Sequence, residues 1–175
     1  MIEYVLDSVW TVVDEILVIF NKEPDLSLIE SITSFGVKIA IDRDGDGMLS
    51  KIVVGLKACN SEDCLVVTVS NPFIKPNVIY QLFQEVKTYD AAIPRWANGK
   101  LEPLLAVYKR GPFLKTSVGR ERDELGSLID DLYSVSYVQI EENLKFLDPD
   151  LLSFFKVKND EDFSRARTIA SQEGR

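Results

Sequence analysis

Apolar positions along the chain follow two patterns that alternate. Helical spacing is found in residues 1–12, 26–32, 49–56, 76–89, 120–132 and 160–171. Short runs rich in β-branched and aromatic residues lie between them and are predicted to be strands: 15–20, 37–41, 64–70, 90–96, 102–108 and 134–140. Asn98-Gly99 predicts a tight turn between two of these strands. The alternation predicts an α/β fold with a mostly parallel sheet and helices on both faces.

Composition narrows the class of protein. The 175 residues are 46% apolar, enough for one domain, residues 1–175, to build its own core. A net charge of −8 disfavours nucleic-acid binding, which needs clustered Lys and Arg. The longest apolar runs, 16–20 and 64–69, are too short to span a membrane. Met1 opens directly into the amphipathic pattern, without a signal segment, so we expect a cytoplasmic protein.

The inventory of reactive side chains is short. Histidine is absent, which excludes Ser-His and Cys-His nucleophile pairs and His metal ligands. Cys59 and Cys64 do not form a Cys-x-x-Cys motif and are interpreted as packing residues. Any chemistry is therefore left to carboxylates, Lys, Tyr and backbone groups.

Four motifs occur in order along the chain. The first is an Asp after a strand, Asp42, followed by Gly47-Met48-Leu49-Ser50-Lys51-Ile52. The second is the strand that ends at Ser70 and leads into Asn71-Pro72-Phe73. The other two are Glu102-Pro103-Leu104-Leu105-Ala106-Val107-Tyr108 and the segment 154–163. Over essentially the whole chain, this order resembles the molybdenum cofactor guanylyltransferase family, which implies a three-layer, Rossmann-like nucleotidyltransferase fold.

The resemblance implies roles for individual residues. In this family the strand before the Pro-aromatic pair ends in an Asp that holds Mg²⁺, and Ser70 occupies that position here. Two Asn of the family's carboxyl-terminal motif are replaced by Lys156 and Lys158. The nucleotide-binding set implied by the first motif is Asp42, Gly47, Leu49 and Lys51; for Asp42, a solvated acidic loop is the alternative. The acceptor-binding set implied by the third motif is Glu102, Pro103 and Tyr108.

The chain opens with a helix where such a fold normally opens with a strand and a glycine-rich phosphate loop. Met1-Ile2-Glu3-Tyr4-Val5-Leu6 resembles an internal family segment that begins with Leu. We therefore expect a truncated or misassigned start, the alternative being a natural variant that lacks the first strand and the loop.

The function implied by the resemblance is transfer of GMP from GTP to molybdopterin, with Mg²⁺ neutralising phosphate charge. Two interpretations of the altered residues remain open. Lys51, Lys156 and Lys158 could replace the metal as point charges around Ser70, or the site has decayed and the lysines are solvated. Because the glycine-rich phosphate loop and the Asp that holds Mg²⁺ are both missing from this sequence, little catalytic turnover is expected. The alternative is a member of the fold that has no catalytic activity and binds a nucleotide, a pterin or another protein. Such a protein could form a homo-oligomer or act with a partner enzyme.

Overall fold

The structure is a computed structural model that describes residues 1–43, 47–120 and 124–172. Helices and strands alternate through most of this range, as the sequence pattern predicts. The helices are α1 (Ile2–Trp10), α2 (Leu26–Thr33), α3 (Met48–Ala58), α4 (Pro76–Glu85), α5 (Arg110–Thr116), α6 (Leu125–Asp130) and α7 (Asp160–Gln172). The strands are β1 (Leu17–Phe20), β2 (Lys38–Ile41), β3 (Asp63–Val67), β4 (Ala91–Arg95), β5 (Leu105–Lys109) and β6 (Val135–Gln139).

The strands form two sheets. β1 and β2 pair in parallel, and the other four strands are ordered β3-β5-β4-β6. β5 is antiparallel to both β3 and β4, whereas β4 and β6 are parallel. Thus β3, β4 and β6 run in one direction and only β5 is reversed, since it returns from β4 through the turn at Gly99, where φ is +86°. The prediction of an α/β fold with mostly parallel strands is confirmed.

β1 and β3 belong to different sheets but approach each other at one end. Glu15, two residues before β1, accepts hydrogen bonds from the backbone and side chain of Asn60, three residues before β3 (3.0 and 3.5 Å). The amino ends of the two strands are therefore adjacent. Between the strands lies a cleft of about 780 Å³, lined by residues from α1, β1, α3 and β3.

Helices cover both faces of the strands. On one face α1 and α4 bury Val5, Leu6 and Ile79 in a core that also contains Leu105 and Val107 of β5. On the other face α3, α5 and α6 surround Ala106 and Tyr108 of the same strand in a second core. Alternate residues of β5 thus enter opposite cores, as expected for a strand covered on both sides.

Two local differences from the sequence prediction have simple causes. α5 was not among the predicted helices; its Pro112 lies in the first turn, where Pro is tolerated because the first-turn N–H groups have no helical partner. β3 ends at Val67, three residues earlier than predicted. The chain then turns at residues 68–70, where the Thr68 hydroxyl donates a hydrogen bond to Asn71. Within the described ranges, no helix is long and apolar enough to cross a bilayer.

Candidate nucleotide site at the carboxyl ends of the strands

Asp42 follows β2 directly and is held by its backbone. Its N–H donates to the carbonyl of Phe20, the last residue of β1 (2.8 Å). The residue is only 6% exposed, and its Oδ2 is buried with no hydrogen-bond partner among the described residues. A buried carboxylate oxygen is costly unless it accepts a hydrogen bond. Asp42 therefore presents an unused acceptor at the end of two parallel strands, where α/β folds bind ligands.

The start of α3 contributes the other residues of the predicted nucleotide set. Gly47 lies at the helix N-cap with φ +106°, a conformation that favours glycine. The Lys51 ammonium donates to the Gly47 carbonyl (3.1 Å) and lines the cleft. Leu49 is 3% exposed and packs in the second core, so it fixes the helix and is not a surface contact. This places a positive charge beside the amino end of an 11-residue helix.

The turn after β3 is tied together by its own side chains. The Thr68 hydroxyl donates to Oδ1 of Asn71 (3.0 Å) and lies 2.5 Å from the Ser70 hydroxyl. Because Thr68 has one proton and donates it to Asn71, the Ser70 hydroxyl must donate to Thr68. Ser70 is thus left as an acceptor only. In this arrangement the Ser70 hydroxyl has no proton to donate to a phosphate, and because it is neutral it does not replace the carboxylate that holds Mg²⁺ in the family.

The carboxyl-terminal segment docks on this turn. Val157 N–H donates to the Ser70 carbonyl (2.9 Å). Asn71, fully buried, donates to the Ser153 carbonyl (3.1 Å), and Ser153 in turn accepts from the Lys75 backbone (3.0 Å). These bonds bring Val157, the neighbour of Lys156, against Ser70.

The lysines themselves have different surroundings. Lys156 forms an ion pair with Glu102, a carboxylate whose side chain is 2% exposed. Lys158 is exposed, and its backbone N–H donates to Asp162 at the start of α7 (3.0 Å). The two lysines therefore do not converge as a pair in this structure, and the charge of Lys156 is already neutralised.

Glu102 is the centre of a polar cluster that was not predicted as a unit. Besides Lys156, it accepts from the Trp96 indole N–H (2.8 Å) and the Lys100 ammonium (2.9 Å). Burial raises the pKa of Glu102, but the hydrogen bonds from these three groups outweigh that effect and hold its pKa below the ordinary value. Glu102 is therefore a charged residue that organises its neighbours.

Of the other two residues predicted to bind the acceptor substrate, Tyr108 lies inside the protein and contacts Pro103. Tyr108 is fully buried, packs edge-on against Phe113 with ring centroids 4.9 Å apart, and donates its hydroxyl to the Pro103 carbonyl (2.8 Å). Burial also raises the pKa of the Tyr108 phenol, which therefore stays protonated. No atom of Tyr108 reaches the surface, so its observed contacts are packing and positioning of the Pro103 turn.

The family's Mg²⁺ does not fit the donors seen at Ser70. The side chains of this turn, Thr68, Ser70 and Asn71, are neutral and are hydrogen-bonded to one another, whereas Mg²⁺ sites in proteins use one or two carboxylates. Across residues 1–43, 47–120 and 124–172, no group of three or more His, Cys, Asp and Glu is placed to hold a metal. We therefore derive no step through a metal bound at Ser70.

Sequence reasoning did not place Trp96 or Asn71 in the site, and it left Lys100 open between a charge that faces the acceptor and ordinary surface charge. Lys100 and Glu102 are two residues apart after the Asn98-Gly99 turn, a spacing that places them on the same side of the hairpin. Asn71 had no such signal, because its partner Ser153 is 82 residues away.

These features define an α/β protein of the nucleotidyltransferase type, with polar groups at the carboxyl ends of parallel strands. The chain belongs to the MobA-like NTP transferase domain family, whose model matches residues 1–135.

Curated relatives agree with this assignment. The chain is 31% identical over 171 residues to a probable molybdenum cofactor guanylyltransferase of Methanosarcina acetivorans, covering 93% of this chain and 75% of the relative. It is 36% identical over 128 residues to a protein of the same description from Pelotomaculum thermopropionicum, covering 72% of this chain and 61% of that one.

Solved structures show the same fold. Molybdopterin-guanine dinucleotide biosynthesis protein A from Archaeoglobus fulgidus superposes with a TM-score of 0.77 at 26% identity, covering 98% of this chain and 85% of that chain. 2-C-methyl-D-erythritol 4-phosphate cytidylyltransferase from Thermus thermophilus superposes with a TM-score of 0.70 at 17% identity, covering 97% and 88%. The second similarity concerns the fold alone.

Proposed function

We propose that this chain binds GTP at the carboxyl ends of β2 and β3, as a cytoplasmic protein of molybdenum cofactor biosynthesis. The reaction expected of the family is transfer of GMP from GTP to molybdopterin, with release of pyrophosphate. The relatives that bear the guanylyltransferase name support this substrate pair.

The observation that carries the proposal is the unused carboxylate oxygen of Asp42. Its burial costs free energy in the unliganded protein, and a hydrogen-bond donor from a ligand would recover that cost. Guanosine offers such donors in the amino and ring N–H groups of its base and in its ribose hydroxyls. Asp42 is thus the anchor of the nucleoside.

Lys51 is the phosphate-facing charge in this proposal. It lines the cleft, and its ammonium uses one of its three protons on Gly47. The amino end of α3 adds a further attraction for anions. Lys158 is exposed and remains a candidate for contact with the acceptor phosphate.

Catalytic turnover is expected to be low. Phosphoryl-transfer chemistry needs positive charge at the phosphate oxygens. Ser70 supplies none, and Lys156 is neutralised by Glu102. This ion pair favours a second candidate function, a nucleotide-binding member of the family without catalysis, acting with a partner enzyme or as a homo-oligomer.

Calorimetric titration with GTP tests the binding proposal, with ATP and CTP as controls for the base. We expect Asp42→Asn to weaken GTP binding at least tenfold, about 1.4 kcal/mol, because the amide offers only one acceptor oxygen. The matched control is Asp7→Asn, at an exposed position of α1. Asp42→Asn should not lower the free energy of unfolding, since the buried Oδ2 has no hydrogen-bond partner among the described residues to lose. Equal GTP affinity for wild type and Asp42→Asn would refute the role of Asp42.

Repeating the titration without Mg²⁺ separates the two interpretations of the altered residues. GTP affinity that does not change supports binding by protein groups such as Lys51. Affinity that increases with Mg²⁺ would indicate that the chain binds the Mg²⁺–GTP complex despite Ser70. Release of pyrophosphate in the presence of molybdopterin then distinguishes an enzyme from a binding protein.

A further inference from the structure

The two cysteines of the chain lie side by side where α3 ends and β3 begins. Cys59 is the C-cap residue of α3, and Cys64 is the second residue of β3. Their Sγ atoms are 3.3 Å apart, and neither is in a disulfide. From the sequence, packing was the role assigned to both. The structure adds a direct contact between the two sulfurs, because the chain turns between α3 and β3 so that the side chains meet.

The turn between the cysteines is held in place by contacts from outside it. The Asn60 backbone and side chain donate to Glu15, which precedes β1 (3.0 and 3.5 Å). The Arg110 N–H donates to the Glu62 carbonyl (2.7 Å), and its Nε donates to the Leu56 carbonyl in the last turn of α3 (2.9 Å). None of these bonds involves a sulfur atom. The contact between the thiols is therefore a property of the folded backbone around them.

The thiols also share a backbone neighbour inside the turn. The Sγ atoms of Cys59 and Cys64 lie 3.8 and 3.4 Å from the Ser61 carbonyl, within hydrogen-bonding reach for sulfur. Because an S–S bond is about 2.05 Å long, the two sulfurs need to approach each other by about 1.3 Å to form one. The pair is thus arranged for a bond between its own two members.

We propose that Cys59 and Cys64 are a redox modification site, which a small hydroperoxide converts to an intramolecular disulfide. The bond joins the end of α3 to the start of β3 across a turn of four residues. Both side chains are half-buried, which favours a small oxidant over a protein disulfide. The proposal does not depend on the nucleotide site or on the proposed function.

The reaction takes place in two steps. In the first, the Cys59 thiolate attacks one oxygen of hydrogen peroxide and the O–O bond breaks. Cys59 becomes a sulfenic acid, and the departing hydroxide takes up the Cys59 proton to give water. In the second, the Cys64 sulfur attacks the Cys59 sulfur, an S–S bond forms and the S–O bond breaks, and the leaving hydroxyl takes the Cys64 proton to give a second water. The two thiols have then lost two electrons and two protons to the peroxide.

Cys59 is assigned to the first step because Cys64 is the less reactive thiol. Burial, together with the neighbouring Cys59 thiol, raises the pKa of the Cys64 thiol. Little of Cys64 is therefore thiolate, the form that attacks a peroxide. A Cys64→Ser variant should stop at the sulfenic acid of Cys59, which dimedone traps. The matched variant Cys59→Ser should be labelled by dimedone at least tenfold more slowly.

The disulfide itself is tested by treating the full chain with hydrogen peroxide and then alkylating it with N-ethylmaleimide in denaturant. We expect a monomer that is lighter by two hydrogen atoms in mass spectrometry and takes up no maleimide. Dithiothreitol should restore two reactive thiols. Cleavage between Glu62 and Asp63 should leave the two fragments linked until the disulfide is reduced.

A comparison of the folded and unfolded chain tests the arrangement seen in the structure. Two cysteines separated by four residues also meet in a flexible chain, so the reference is the same chain in urea. In a glutathione redox buffer, the equilibrium constant for the intramolecular disulfide should be at least tenfold higher in the folded chain. This factor corresponds to about 1.4 kcal/mol in favour of the bond.

Three results would overturn the proposal. The first is full alkylation of both cysteines after treatment with peroxide. The second is oxidation that yields only disulfide-linked dimers or sulfinic acids. The third is an equilibrium constant in the folded chain that is no higher than in urea, which would show that the native turn does not favour the bond.

Discussion

Replacing Glu102 with Gln tests whether this buried carboxylate organises its neighbours by its charge. The substitution keeps the size of the side chain and removes the charge. Glu102 is 2% exposed and accepts hydrogen bonds from Lys156, Lys100 and the Trp96 indole. In the Gln variant, the amide group confronts two ammonium groups with one acceptor oxygen in place of two.

The structure indicates which of these bonds matters most. The Lys100 side chain is 61% exposed, so its pair with Glu102 is worth little. The Lys156 side chain is 24% exposed and its bond is charge-assisted, which is worth about 1.5–3 kcal/mol. We therefore expect Glu102→Gln to lower the free energy of unfolding by about 2 kcal/mol at neutral pH. Lys156→Met should cost a similar amount, and Lys100→Met less than about 0.5 kcal/mol.

Urea unfolding at two pH values provides the assay. The folded-state pKa of Glu102 is depressed below its ordinary value of 4.5, so its contribution is fully present above that value. It is lost as the pH falls below 4.5 through the folded-state pKa. The difference between wild type and Glu102→Gln should therefore be largest at neutral pH and shrink toward about pH 3.5.

The control is Glu30→Gln, at an exposed carboxylate of α2 that has no side-chain hydrogen bond to the residues that the structure describes. It should change the free energy of unfolding by less than about 0.5 kcal/mol. A Glu102→Gln variant as stable as wild type at neutral pH would refute the reasoning, as would a difference that grows on acidification.

Three further substitutions test other contacts. Tyr108→Phe leaves the Pro103 carbonyl without its 2.8 Å partner and should cost about 1–2 kcal/mol in urea unfolding; unchanged stability would mean that water replaces the hydroxyl. Asn71→Ala removes a fully buried amide and should cost about 2–3 kcal/mol, whereas a cost below about 0.5 kcal/mol would contradict a structural role for the turn. Burial raises the pKa of the Cys64 thiol. In the variant Cys59→Ser, which retains Cys64 as its one cysteine, iodoacetamide at pH 8 should therefore alkylate Cys64 at least tenfold more slowly than a free thiol. A rate like that of free cysteine would refute the effect of burial.

Most elements of the fold could be predicted because each has a local cause. The β-branched runs became β1 to β6, and Gly36, with φ +65°, follows the end of α2 where the sequence placed the stop. The separation of the strands into two sheets could not be read from any local pattern. It depends on which strand edges pair, and among the described residues β1 pairs with β2 alone and β3 with β5 alone.

The candidate site was predictable only in part. Asp42, Lys51 and Ser70 were assigned by resemblance to the family's motifs. In the structure Asp42 directly follows β2, Lys51 lies in the first turn of α3, and Ser70 lies three residues after β3. The ion pair between Lys156 and Glu102 joins residues 54 positions apart, so sequence spacing carried no information about it. Neither of the two interpretations of Lys156, a charge on the phosphate or a solvated side chain, included this ion pair.

The position of Trp96 gives the protein an internal optical reporter. The chain has two tryptophans, and Trp10 is 60% exposed. Trp96 is half-buried, donates to Glu102 and packs edge-on against Phe154 with ring centroids 5.5 Å apart. In a Trp10→Phe background, emission would come from one indole at the junction between the hairpin and the carboxyl-terminal segment. A red shift would then signal detachment of that segment before the cores unfold, without any added label.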